Sequence, residues 1–357
     1  MRPPFLIVSF VVLVQACGHS TSSAPPASAT PQTRASGAPS WAYGFNAPAA
    51  APVPGAAAAQ PAPGGRGGAP GGGRGGAAPP ADTVKRTVSG STLTFTSSQI
   101  RDTYGPADWF PGDHPTMPPI VARGRRDAMI LACSLCHYPN GKGRPENASV
   151  SGLPVSYFLQ TMRDFKSDSR KSSDARKGNT NRMIAIAKAM TDEEIKASAE
   201  YFGAITWTPW IRVVERAQVP KTRIAAGLFI PLEGADAGPE PIGQRIIEVP
   251  ENTEQSEVLR NPRSGFVAYV PPGSVKKGEA IATRLQCALC HGATLEGLGP
   301  VPGIAGRSPS YMVRQLYDMQ SGARRGEWGA LMRHVVTSMS VDEFVSVSAY
   351  VASRGSR

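Results

Sequence analysis

The 357-residue sequence is poor in cysteine and histidine, with five of each. Four of the cysteines fall into two CxxC pairs and the fifth, Cys17, ends an apolar N-terminal run, so none is left over for a disulfide framework. Long apolar runs are missing as well: Phe5 to Val14 is too short to span a bilayer as a helix. Acidic residues are outnumbered, 27 Asp and Glu against 38 Lys and Arg, for a formal charge of +11. That surplus favours acidic protein surfaces, anionic lipid or nucleic acid. With neither a basic stripe nor a recognition motif, no nucleic-acid partner is expected. Between residues 18 and 81 almost every side chain is Ala, Pro, Gly, Ser or Thr. Such a stretch has too little apolar surface to offset its conformational entropy and reads as a disordered tether. Its glycine-rich part carries only Arg66 and Arg74, which reads as solvation and not as an RNA-binding element.

What is present begins with an address. Arg2, the apolar run and Val14-Gln15-Ala16-Cys17 resemble a bacterial lipoprotein signal over residues 1–17, which implies lipidation of Cys17 and a membrane anchor on the periplasmic side. Plain secretion, leaving a soluble periplasmic protein, is the alternative.

Each CxxC pair is followed directly by a histidine: Cys133-Ser-Leu-Cys136-His137 and Cys287-Ala-Leu-Cys290-His291. On one helical turn, two thiols three residues apart form thioethers to both vinyl groups of a haem while the adjacent imidazole reaches the iron. Two covalently bound haem c groups are therefore expected, a reading that agrees with export because bacterial haem attachment takes place outside the cytoplasmic membrane. The competing readings are one Cys₄ zinc site, which would have to draw both pairs together, and a redox dithiol. Neither needs a histidine after each pair.

The two motifs sit in an internal repeat. At a constant offset of 154 residues Gly124 falls on Gly278, Cys133 on Cys287, His137 on His291, Gly152 on Gly306 and Tyr157 on Tyr311. Beyond a five-residue insertion in the first copy, within Lys171 to Arg182, Met183 falls on Met332 and Tyr201 on Tyr350. Arg125–Leu135 and Glu279–Leu289 read as helices leading into the motifs, and Tyr157–Lys166 and Tyr311–Gln320 as amphipathic helices. Thr191-Asp-Glu-Glu194 and Ser340-Val-Asp-Glu343 are capping boxes that open a last helix in each copy. The expected organisation is a lead-in at 82–115, a first helical domain at 116–206, a Pro-rich but ordered connector with short β segments at 207–274, and a second helical domain at 275–357. Gly227–Ile230, Arg245–Val249 and Phe266–Val270 are its strand-like runs.

Around both motifs the chain resembles the class I cytochromes c in their two-domain dihaem form, most clearly in Pro300-Val-Pro-Gly-Ile-Ala-Gly-Arg-Ser-Pro-Ser-Tyr311 with Gln315-Leu316. The resemblance implies a mainly α fold and a hydrogen bond from His291 to the Pro302 carbonyl; the first copy has Ala148 at that place. It also gives Gly124 and Gly278 the role of letting the last helix cross closely under Tyr201 or Tyr350. For the sixth iron ligand each copy offers two methionines, Met183 and Met190, then Met332 and Met339, and spacing alone does not choose. Met190 and Met339 directly precede the N-caps, with Ile195 and Phe344 at the fourth helical position, which is a hydrophobic staple. Met183 and Met332, eight residues before each cap on the expected distal loop, are thereby left as iron ligands, and the resemblance puts the ligand at the same spacing. Of the other histidines, His19 lies in the tether, His334 points away from Met332 on a helical turn, and His114 sits in a turn-rich loop. An iron held by His and Met has no open position, so the expectation is an electron carrier between redox proteins, a dehydrogenase or an oxidase among the candidates, without a small-molecule substrate. The rivals are a dihaem peroxidase or a haem dehydrogenase with one labile ligand, and a dedicated subunit of a dehydrogenase.

Overall fold

The computed structural model describes residues 37–48 and 82–355, all within one compact unit. The 1–17 signal with Cys17, His19 and most of the expected tether lie outside the described residues. After the short helices α1 (Ser97–Ile100) and α2 (Pro119–Arg123), the first repeat consists of α3 (Cys133–His137), α4 (Val155–Lys166), α5 (Gly178–Ala189) and α6 (Asp192–Gly203). The second runs through α7 (Ser274–Arg284), α8 (Cys287–His291), α9 (Pro309–Ser321), α10 (Glu327–Val336) and α11 (Val341–Ser353). No described helix is long and apolar enough to cross a membrane.

Both capping boxes form: the Glu194 and Glu343 amides donate to the Thr191 and Ser340 hydroxyls at 3.2 Å, and each glutamate reaches back to its cap residue's amide at 2.9 Å. These reciprocal bonds fix where α6 and α11 begin. The helices leading into the two motifs differ, however. The second copy has the three-turn α7, which crosses α11 so closely that a Cβ at Gly278 would lie 2.7 Å from the Tyr350 Cβ and inside contact range of the Ser346 carbonyl. In the first copy the expected helix at Arg125–Leu135 does not form. Gly124 ends α2 at φ +63°, and Arg125 and Ile130 then exchange backbone hydrogen bonds at 2.7 and 2.9 Å around a tight turn. Gly124 is thus a turn glycine facing Ile130 and Ala132, not a helix-crossing glycine under Tyr201. The physical reason lies in Arg125-Arg126-Asp127, which offers no apolar face over that turn, while Ile130 is fully buried and pulls the chain inward.

The connector is ordered. Its strands are β1 (Ile211–Glu215), β2 (Gln218–Pro220), β3 (Thr222–Ala225), β4 (Leu228–Pro231), β5 (Pro239–Pro241), β6 (Ile247–Pro250) and β7 (Phe266–Val270), and β8 (Gly297–Leu298) and β9 (Val301–Pro302) follow inside the second repeat. The strands β1, β7 and β6 form a sheet in that order, parallel between β1 and β7 and antiparallel between β7 and β6; β2–β5 and β3–β4 are two-stranded. Ile211, Leu228, Ile246 and Phe266 share one core with Ile281, Val313 and Phe344 of the second repeat, so the connector is built onto that domain. The lead-in packs on the connector in turn: buried Trp109 donates its indole N–H to the Leu259 carbonyl at 2.7 Å.

One stretch of the expected tether belongs to the fold. Ser40–Tyr43 makes a turn of 3₁₀ helix with Ala42 and Tyr43 buried in the second domain's core. Trp41, Tyr43 and Phe45 supply the apolar area that the neighbouring Ala/Pro/Gly sequence lacks, enough for this short piece to offset its ordering entropy.

Candidate functional site

The CxxCH pentapeptides form α3 and α8 themselves, so Cys133 and Cys136, like Cys287 and Cys290, sit one turn apart on one helix face. None of the four is in a disulfide. Burial pushes the Cys133 thiol up to about 12 and raises Cys136 and Cys287 too, the reverse of the depressed pKa a redox dithiol needs. Among the described residues no group of three or more His, Cys, Asp or Glu is placed to hold a metal ion.

Each motif histidine is held by a backbone carbonyl. His137 Nδ1 lies 2.8 Å from the Ala148 oxygen and His291 Nδ1 lies 2.9 Å from the Pro302 oxygen, which the β8–β9 hairpin presents. A carbonyl only accepts, so Nδ1 carries the proton and Nε2 keeps its lone pair for a metal. Burial lowers both imidazole pKa values, so both rings are neutral near pH 7. Replacing proline by alanine in the first copy leaves this bond intact.

The structure places Met183 on α5 and Met332 on α10, on helices where a loop was expected; both are half-buried. Met190 and Met339 are buried in the two domain cores, which also contain Ile195 and Phe344. His114 is turned elsewhere, with Nε2 3.1 Å from Asp108 and Nδ1 2.8 Å from the Pro115 carbonyl.

Cys133, Cys136, His137 and Met183 line the same cavity as Cys287, Cys290, His291 and Met332, a continuous space of about 1710 Å³. Met190 also reaches its wall; Met339 does not. The volume exceeds the roughly 300–1,000 Å³ of a pocket for a single drug-sized ligand.

No family model matches the chain. It is 24% identical over 241 residues to the thiosulfate dehydrogenase electron acceptor of Stutzerimonas stutzeri, spanning 67% of this chain and 86% of that protein. With cytochrome c4 of Azotobacter vinelandii it shares 22% identity over 236 residues, 65% of this chain and 87% of that one. With the cytochrome subunit of sulfide dehydrogenase of Chlorobaculum tepidum the identity is 31% over 96 residues, 27% of this chain and 79% of that protein. The chain belongs to the dihaem class I cytochromes c. It carries two covalent haem c groups and transfers electrons.

The polar lining of this cytochrome's cavity fits such groups, because a haem brings carboxylates and the wall is rich in buried cations bound to neutral partners. Arg324 donates to the Tyr157 hydroxyl at 2.7 Å and Arg170 to the Tyr311 hydroxyl at 3.0 Å, each across the two repeats. The arginines, like the tyrosines, are related by the 154-residue offset, so the contact is a pseudo-twofold pair. Burial pushes the Tyr157 hydroxyl up, but Arg324 and Arg170 outweigh it and bring the group down to about 8. Arg307 of the second repeat donates to the Ser149 and Ser151 carbonyls of the first, both at 3.1 Å. Buried charges without carboxylate partners are costly, and an incoming anion relieves that cost. Sequence reasoning missed these residues; the signal was available, since Arg170 and Arg324 obey the same offset as the motifs.

Proposed function

We propose that Cys133, Cys136 and His137, with Met183, hold the first haem, and that Cys287, Cys290 and His291, with Met332, hold the second. Lipidation of Cys17 would tether the protein at the periplasmic face of a membrane. The single observation that carries this reading is that both complete ligand sets line one cavity. A bound haem c with two protein ligands exchanges one electron between ferric and ferrous iron. The chain's part would be to hold each imidazole in one tautomer through the Ala148 and Pro302 carbonyls, to supply a thioether from Met183 or Met332 as the second ligand, and to join the two sites through the Tyr157–Arg324 and Tyr311–Arg170 contacts. With a histidine and a methionine supplied to each haem, a bound haem would move electrons without binding a substrate, and the protein would act as a carrier and not as an enzyme. Relatives that serve thiosulfate and sulfide dehydrogenases favour a dehydrogenase as donor, with the basic surface steering acidic partners.

The exported protein is expected to contain two haems per chain in a pyridine haemochrome assay, and Cys290→Ala to leave one intact site and one poorly attached haem. A count of one in the unaltered protein would contradict the assignment. Cys17→Ala is expected to move the protein from the membrane to the soluble periplasmic fraction with its visible spectrum unchanged. Continued membrane association would rule out the lipid anchor.

A further inference from the structure

Three pieces of chain that break the repeat symmetry meet at one point of the cavity wall. They are the five-residue insertion of the first distal loop, the Ser40–Tyr43 turn with the residues after it, and the β3–β4 turn. The Tyr43 hydroxyl donates to Asp318 at 2.7 Å, Arg314 donates to the Ala42 carbonyl at 2.7 Å, and Arg176 of the insertion donates to the Ala47 carbonyl at 2.9 Å while stacking on Phe45. Gly44 lies against Gly227 so closely that a Cβ on it would be 2.6 Å from the Gly227 Cα. Between them sits Lys177, the N-cap residue of the helix that carries Met183.

Lys177 is 3% exposed, and its ammonium has no hydrogen-bond partner among the described residues. None of the carboxylates around it accepts a hydrogen bond from it. Glu146 faces Arg144 in an ion pair at 2.5 Å, although neither of its oxygens accepts a hydrogen bond; Asp174 is paired with Arg176 at 2.7 Å, and Asp318 accepts from Tyr43 and from the Ser173 amide. The neighbouring cation, Arg314, adds repulsion; burial first and Arg314 second bring the lysine down to about 7. An ammonium held in a cavity wall without a partner is a site for an anion. The second repeat lacks the insertion and so has no equivalent lysine.

We propose that Lys177 receives one haem carboxylate in a pocket made by the insertion, the 40–45 turn and Gly227, and that it thereby separates the potentials of the two haems. This rests on the haem assignment above. A cation close to one iron favours its reduced state, because reduction removes a positive charge. For a charge of this kind at an effective dielectric near 20, the effect on that haem's reduction equilibrium would be on the order of tenfold.

The test is an optical redox titration of the full holoprotein. Lys177→Gln is expected to lower one of the two potentials by about tenfold in equilibrium constant, about 59 mV for a one-electron couple, and to leave the other in place. Lys188→Gln, which removes an exposed lysine paired with Asp168, should move neither. Equal movement of both potentials, or of neither, would overturn the proposal. Potentials that depend on added acetate or phosphate would overturn it too, since the pocket would then hold a free anion. A haemochrome count of two in Lys177→Gln separates this failure from failure of the haem assignment. Should the variant not fold, ¹⁵N-lysine NMR of the unaltered protein decides. One slowly exchanging ammonium resonance that shifts when the haems are oxidised is expected, and its absence refutes the pocket.

Discussion

Met332→Ala and Met183→Ala are each expected to remove half of the weak near-infrared sulfur-to-iron absorption and to let one haem of the reduced protein bind carbon monoxide. The two methionines sit at corresponding places of the repeat, on α10 and α5, and both line the cavity. On the proposed assignment, losing the thioether would leave one haem short of a ligand and the other site untouched, so the effect should be confined to that haem. Met190→Ala and Met339→Ala are expected to do something different. Both side chains are buried, 4% and 7% exposed, at the N-terminal ends of α6 and α11. Their truncation should cost about 2–5 kcal/mol of folding stability through the cavity it leaves, with the near-infrared band retained. Met190 makes the sharper comparison, since it also touches the cavity wall. If Met190→Ala abolished the band while Met183→Ala spared it, the ligand and the packing residue would have to be exchanged.

What could be read from the sequence was whatever is local or repeated. The CxxCH spacing fixes its own helical turn, the capping boxes are complete within four residues, and the 154-residue offset shows that one arrangement is built twice. The strand-like runs of the connector also appear as β4, β6 and β7, because alternating or continuous apolar residues between prolines leave few other options. Contacts between distant segments were not legible. Tyr43 meets Asp318 across 275 residues, and nothing near either residue announces the other. The 40–45 turn was hidden by composition: averaged over 18–81 the sequence reads as tether, although three aromatics within five residues are enough to anchor a short piece. The merging of two haem sites into one cavity depends on how the domains face each other, and the clue to that, arginines matched to tyrosines at the repeat offset, concerns pairs and not single residues.

The repeat also misled at one position, and there the second large effect is expected. Gly124 and Gly278 align, yet only Gly278 lies in a helix crossing. Gly278→Ala would bring a methyl to 2.7 Å from the Tyr350 Cβ and into the Ser346 carbonyl, both on α11, and neither neighbour is the free end of a flexible side chain. The helices α7 and α11 must then separate, breaking a core that contains Ile281, Phe344 and Ala349. Overpacking of this kind costs about 1–3 kcal/mol for a methyl, and Gly278→Val should exceed that range. Denaturant unfolding followed by far-ultraviolet circular dichroism measures the loss. Gly124→Ala is destabilising for another reason, because φ is +63° there and a Cβ would lie 2.7 Å from the Ala132 amide nitrogen. At φ +63° and ψ −153° Gly124 lies in a region that only glycine occupies readily, so Gly124→Asn gains nothing from the tolerance of asparagine for left-handed helical backbone and should be no more stable than Gly124→Ala. Gly278 lies inside helix α7, so Gly278→Asn should be worse than Gly278→Ala because the extra atoms add to the clash with α11. Equal stability of Gly278→Ala and Gly278→Asn would mean that the crossing of α7 and α11 is not tight at this point.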